Sequence, residues 1–182
     1  MHIAADSLIP SRKRSKDVIE AFSLAFEKEA DVRLLVKKTP TCAKIHCFDR
    51  RVTLDYSILP SLLPVIQSSH VGVFLSGQEA WGYPHHELMA TGRAVISPIY
   101  GGMKEFMDAS CAYSLPYGMR KIEKSFIYPT GDAPFVRVKD LAASMRFCYE
   151  NFDDVVLKGV LAYRKSLGFT ISRMSARLNT LI

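Results

Sequence analysis

Two glutamates, Glu79 and Glu87, bracket a loop that can do chemistry, and seven residues separate them. They belong to the run from Gln78 to Gly92, between the apolar stretches His70–Leu75 and Ala94–Ser97. A carboxylate offers about four lone-pair directions, so it can accept from two hydroxyls of a vicinal diol at once. The same residues also fit a solvated loop glutamate and a negative charge favoured near a helix N-terminus. Gly82 lets backbone approach a ligand closely, and Pro84 suits a first helical position. The amides around Tyr83 to His86 would then face whatever fills the crevice, with the helix dipole favouring an anion. Gly101 and Gly102 are a second amide cradle or a tight turn. Arg12, Lys13 and Arg14 follow the first apolar segment. Arginine can fork two phosphate oxygens and lysine acts as a point charge, so the run suits a diphosphate; it equally suits a solvated face. His85 and His86 are adjacent, and neighbours on a helix diverge by about 100°, so they do not chelate one metal as an i, i+4 pair does. Trp81 and Tyr83 either stack on a ring or fill the loop. The sequence holds no nucleophile elbow, Walker loop or dinucleotide glycine fingerprint, which argues against a hydrolase, an NTPase and a dehydrogenase.

The elements that must carry these residues alternate. His2–Leu8 reads as a strand. A helix capped by Ser15 or Asp17 follows, running to about Glu29 with an apolar face of Val18, Ile19, Phe22 and Phe26. Val32–Lys37 is a buried strand, 39–41 a turn, and Val52–Leu54 the clearest part of a weaker strand. Leu59–Ser69 reads as a helix with Pro60 near its first turn and Pro64 inside. Strand, loop, proline-opened helix and strand come next, then a glycine turn with a short helix at 100–106 and a strand over Ala112–Leu115. The stretch from Pro116 to Pro134 has no periodicity and reads as a surface loop with a brief strand at Phe126–Tyr128. Helices follow from Asp140 to about Asn151, from Val155 to Ser166 and from Thr170 to Leu181. Such alternation predicts an α/β fold: a Rossmann-like parallel sheet with helices on both faces, in a single domain over residues 1–182.

Composition narrows the class. At 182 residues and 48% hydrophobic, the chain can bury one sizeable core. No apolar run reaches the ~20 residues that span a bilayer, and the N-terminus lacks signal-peptide features. The four cysteines, Cys42, Cys47, Cys111 and Cys148, form no C-x-x-C pair and read as free thiols of a cytoplasmic protein. A net charge of +6 favours anionic partners without choosing among them; nucleic acid has only that charge behind it.

The ordered block Glu79-Ala-Trp-Gly-Tyr-Pro-x-x-Glu87-Leu-Met-Ala-x-Gly92-x-Ala-Val-Ile96 resembles the signature of family 4 glycosyltransferases with the GT-B fold. That signature reads Glu-Gly-Phe-Gly-x-x-x-x-Glu-Ala-Met-Ala-x-Gly-x-Pro-Val-Ile. Gly101-Gly102-x-x-Glu105, Arg12-Lys13 and Ile19-Glu-Ala-Phe22 resemble further family segments, so the likeness spans about Ser7 to Leu115. It implies the C-terminal, donor-binding half of a two-domain enzyme that transfers a sugar from a nucleotide diphosphate, with retention and without a metal or other cofactor. By resemblance, Glu87 binds the ribose hydroxyls and Glu79 those of the transferred sugar. Lys13, helped by Arg12, neutralises the diphosphate. Amides near Gly82 and Tyr83, beside Pro84, contact sugar and phosphate, and the base lies near Tyr56 to Ile58. The implied partners are a nucleotide-sugar and an N-terminal acceptor domain or partner chain. Contact with the inner face of a membrane through the basic runs 12–16 and 120–124 is a further expectation, as is docking of the amphipathic segment 169–178 on a partner. Three departures bear on donor affinity and turnover more than on fold. Ser7-Leu8 stand where the family has Gly-Arg, Arg14 replaces a glycine, and Ala80 replaces the loop glycine.

Overall fold

The computed structural model describes residues 1–3, 12–121 and 131–179. Among them, β1 (His2–Ile3), β2 (Leu34–Lys37) and β3 (Val52–Asp55) pair in parallel, in the order β1-β2-β3. Also parallel are β4 (Val71–Val73), β5 (Ala94–Ser97) and β6 (Tyr113–Ser114), in the order β4-β5-β6. Met1 joins the two sets: its nitrogen donates to Val71 O at 2.6 Å, and Val73 N donates to Met1 O at 2.8 Å. That alternating pattern is a parallel rung, so the strands form one layer in the order β3-β2-β1-β4-β5-β6, the doubly wound order of a Rossmann-like sheet.

Strand alternation divides the core between the two faces. Leu34, Val36, Ala94 and Ile96 join a cluster with Val18 and Phe22 of α1 (Ser15–Ala25) and Leu141 and Met145 of α4 (Val138–Glu150). Leu35 and Val95 face the other way, against Ile66 of α2 (Leu63–Gln67) and Leu88 and Met89 of α3 (Tyr83–Ala90). Helix α5 (Phe152–Ser166) contributes Val155 to the first cluster and Ala162 to the second. The expected parallel sheet with helices on both faces is therefore present.

Several boundaries differ from the sequence reading. Helix α1 ends at Ala25, not near Glu29, because arginines take the carbonyls that another turn would use. Arg146 binds Ala25 O, and Arg51 binds Phe26 O and Glu29 O. Its N-cap is Arg14, with a left-handed backbone and no side-chain cap; Ser15 Oγ hydrogen-bonds the His2 ring at 3.1 Å instead. Pro60 lies before α2, and Pro64 sits in its first turn, where the missing N–H costs nothing, rather than inside it. Helix α4 starts at Val138 and α5 at Phe152, earlier than expected. The stretch read as a loop from Pro116 to Pro134 contains an antiparallel pair, β7 (Gly118–Lys121) with β8 (Asp132–Phe135). All of β7 is exposed and β8 buries only Pro134 fully, so no alternating apolar face announced them. Cation–π contact of the Arg120 and Arg14 guanidinium groups with Phe135, 3.5 and 4.2 Å from the ring centroid, ties this pair down. The segment 171–182 is helical as α6 (Ile171–Asn179) over its described part. Ser7-Leu8, the proposed strand at Phe126–Tyr128 and Ile122–Lys124 lie outside the described residues. None of the four cysteines forms a disulfide. No described helix is long and apolar enough to cross a membrane.

Candidate functional site

The strand order reverses between β1 and β4, and open α/β sheets bind ligands beyond the carboxyl ends of the strands at such a point. Lys13 follows β1 and Glu79 follows β4. Lys13 Nζ donates to Glu79 Oε1 across the reversal, with side chains only 8% and 10% exposed. Arg12 reinforces the junction: its guanidinium donates to Gln78 O at 2.7 Å and stands 3.9 Å from Glu79 Oε1. Arg12 O accepts from Gly77 N at 3.0 Å. Burial pushes the Glu79 carboxyl up, but the Lys13 ammonium donating to it outweighs that and holds it below the usual range. The Tyr100 hydroxyl closes the loop from above, donating to Ser76 O at 2.8 Å.

The loop enters α3 through Gly82, whose φ of 87° is the left-handed conformation that glycine tolerates. A Cβ here would also stand 3.0 Å from His85 Nδ1 and from Met103 Cγ. The amide cradle is narrower than the sequence implied. His85 N and His86 N both donate to Gly82 O, at 3.0 and 3.1 Å, and Pro84, at the start of the helix, has no N–H. Of this stretch, the Gly82 and Tyr83 amides remain for an incoming group. Gly102 explains itself by close approach: a Cβ there would lie 2.0 Å from Ala80 O. The glycine pair thus presses the 3-10 turn Gly101–Glu105 against the loop that carries Glu79.

His85 is structural. Ser97 donates to Pro98 O at 3.1 Å, so His85 Nε2–H donates to Ser97 Oγ at 3.0 Å. Its ring lies 4.1 Å from that of Phe74, and complete burial pushes its pKa down to about 3, which keeps it neutral. Trp81 fills the loop, 5.0 Å from Phe106 and 5.5 Å from Phe169, and His86 joins the same cluster 5.1 Å from Phe106. Tyr83, by contrast, is 71% exposed at the rim. Glu87 is exposed one turn further along α3, and among the described residues no cation or hydrogen-bond donor occupies its carboxylate. Partial desolvation raises its pKa.

A cavity of about 370 Å³ opens at the carboxyl ends of β1, β2 and β3, lined by Ile3, Lys37, Thr39, Ser57, Ile58 and Leu59 among others. Tyr56 is turned to another task. Its hydroxyl accepts from Ile45 N at 2.9 Å, and Lys44 Nζ lies 3.7 Å above its ring, so the side chain fastens the preceding loop. The lining here comes from Ser57 and Ile58 instead. Lys37 and Lys38, which the sequence reading passed over, are 4% and 5% exposed at this end of β2. Two consecutive lysines closing an apolar strand were the available signal, because lysine is seldom buried without a reason.

No protein-family model matches the sequence, and no curated protein matches it. Solved structures do resemble it in fold. HepE from Anabaena, in complex with UDP, superposes with a TM-score of 0.69 at 15% identity, over 100% of this chain and 48% of that one. The pneumococcal O-GlcNAc transferase GtfA, in complex with UDP and GlcNAc, gives 0.68 at 14% identity, over 99% and 34%. The C-terminal domain of a glycosyl transferase group 1 family protein, LpcC from Francisella tularensis, gives 0.68 at 16%, over 93% and 85%. This chain therefore has the α/β architecture of one half of a GT-B fold. It spans about half the length of HepE and a third of GtfA.

Proposed function

We propose that this chain is the donor-binding half of a glycosyltransferase and holds a nucleotide-diphosphate sugar in the crevice between β1 and β4. The Lys13–Glu79 pair across the strand reversal carries the reading, because it sets a cation and a hydroxyl acceptor side by side where such folds bind ligands. In this reading Glu79 accepts from hydroxyls of the transferred sugar, and Glu87, unoccupied on α3, accepts from the ribose. The Gly82 and Tyr83 amides meet the sugar and phosphate. The base lies at Ser57 and Ile58, beside the cavity. Charge develops on the departing diphosphate, and Lys13, with Arg12 behind it, is fixed in advance to receive it. Glu79 engages Lys13, so a diphosphate would compete with a carboxylate for that ammonium. Transfer with retention and without a metal, and an acceptor wall on a preceding domain or a separate chain, belong to the same proposal.

Calorimetric titration with UDP, GDP and their sugar conjugates tests it. We expect one of these to bind, and Glu87→Ala to weaken binding about tenfold, the equivalent of one charge-assisted hydrogen bond. A folded sample that binds none sinks the proposal; Glu87→Ala binding like the parent removes the ribose assignment alone.

A second reading, a nucleotide-sugar-binding module without turnover of its own, draws on the chain spanning only 48% of HepE. Release of free sugar from a donor by this chain alone would reject it. For contact with an anionic membrane, the basic run offers little: Arg12, Lys13 and Arg14 engage Gln78, Glu79 and Asp17, which leaves Lys16 exposed. Salt-sensitive sedimentation with anionic liposomes would support that contact.

A further inference from the structure

We infer that Lys38 is a second diphosphate-binding cation, reaching the crevice from the end of β2; the inference rests on the donor-binding reading above. Lys38 is 5% exposed, and among the described residues no carboxylate pairs with it and no acceptor takes its ammonium. Its neighbour differs: Lys37 Nζ lies 3.4 Å from Asp55 Oδ2 and donates to Ser57 O and to Lys38 O. Lys38 also lines the cavity at the ends of these strands, so an anion arriving from outside can reach it.

Its position says where. Lys38 N donates to Asp55 O at 2.8 Å, so the strand geometry of β2 continues through it. Alternation then puts Lys38 on the face of Val36, the residue paired with His2. Lys38 and Lys13 both lie close enough to His2 for their charges to lower its imidazole pKa, which complete burial already depresses to about 4. His2 in turn hydrogen-bonds Ser15, the first residue of α1. Two lysines and the uncapped N-terminus of α1 thus converge at the carboxyl end of β1. Lys13 has Glu79 for a counter-charge; Lys38 has none among the described residues. A diphosphate there takes Lys13 on its sugar side and Lys38 on its nucleoside side, with the 370 Å³ cavity beyond for the nucleoside.

The test compares the parent with Lys38→Met, Lys38→Gln and Lys38→Arg by calorimetry, using UDP, inorganic pyrophosphate and uridine as probes. Lys38→Met and Lys38→Gln should weaken UDP and pyrophosphate about tenfold or more and leave uridine unchanged. Lys38→Arg should keep most of the affinity. Parent-like binding of UDP and pyrophosphate by folded Lys38→Met or Lys38→Gln overturns the inference, as does an equal loss for uridine. If the parent binds pyrophosphate through Lys38 but no nucleoside diphosphate, the anion site stands and the donor reading falls. If it binds neither, both fall.

Discussion

The two halves of the sheet solve burial differently. In the β4–β5–β6 half, every residue of β5 is buried, and apolar Leu88, Met89, Val95 and Phe106 fill the face toward α3. The β1–β2–β3 half ends in buried lysines, and its edge strand β3 keeps all four residues at least partly exposed. No helix crosses between β2 and β3; a loop tied by Tyr56 and by the Asp49–Arg51 pair fills that connection. One half is a rigid wall that positions a carboxylate. The other holds positive charge that its own residues only partly neutralise. The crevice lies where they meet, and the Lys13–Glu79 pair joins a cation from one half to a carboxylate from the other. In the proposed reading both halves meet the ligand: the helix-poor half offers cations, and the apolar half, which is also the frame, offers Glu79 and Glu87.

Acid should test this contrast most strongly. Each half buries one neutral histidine against a serine: His2 with Ser15, its pKa near 4, and His85 with Ser97, its pKa near 3. Unfolded, both would titrate near 6.5. Between pH 6.5 and about 4 the unfolded chain therefore binds more protons, and stability falls as pH falls, by about 1.4 kcal/mol per pH unit for each histidine. Glu79 and Glu29, whose folded values are lowered, add to the loss only below about 4.5. Thermal melts from pH 7 to pH 4.5 check the slope. His2→Phe and His85→Phe should each remove about 1.4 kcal/mol per pH unit of it, and a single transition in both would show that the halves unfold together.

Lys13→Met comes next. It leaves Glu79 buried without its cation, and urea denaturation should show a loss of about 3 kcal/mol. Lys13→Met combined with Glu79→Gln should recover much of that loss; strict additivity would mean that the pair does not join the halves. Gly102→Ala places a methyl against Ala80 O and should cost about 2 kcal/mol. It should weaken UDP binding too, since the displaced loop leads into the Gly82 and Tyr83 amides proposed to meet the phosphate, while leaving the β1–β3 half intact by hydrogen exchange. Arg146→Ala should have the smallest effect. Arg146 binds Glu29 at 2.6 Å and Ala25 O, but it is a third exposed and screened by solvent, so only a small drop in the urea midpoint is expected, with nucleotide binding unchanged.

Much of this was legible in the residues. Apolar runs of strand length, alternating with segments of helical period, gave the α/β class, because those periods are local properties of the chain. The loop from Glu79 to Glu87 and the Arg12–Lys13 run also stood out, since acidic and basic residues beside glycine at strand ends are visible without coordinates. Other features were not. The pairing of β7 with β8 fully buries only Pro134, and the early end of α1 depends on Arg51 and Arg146, which arrive from elsewhere in the sequence.

By itself, then, the sequence determined the alternation of the main strands and helices and which side chains carry charge. Only the tertiary structure decided that Lys13 meets Glu79, 66 positions away, that Lys37 meets Asp55 while Lys38 has no counter-charge among the described residues, and that Tyr56 faces Lys44. The reason is that parallel strands pair through long crossovers, so which strand ends become neighbours is fixed by the order of strands in the sheet, and no local pattern encodes that order.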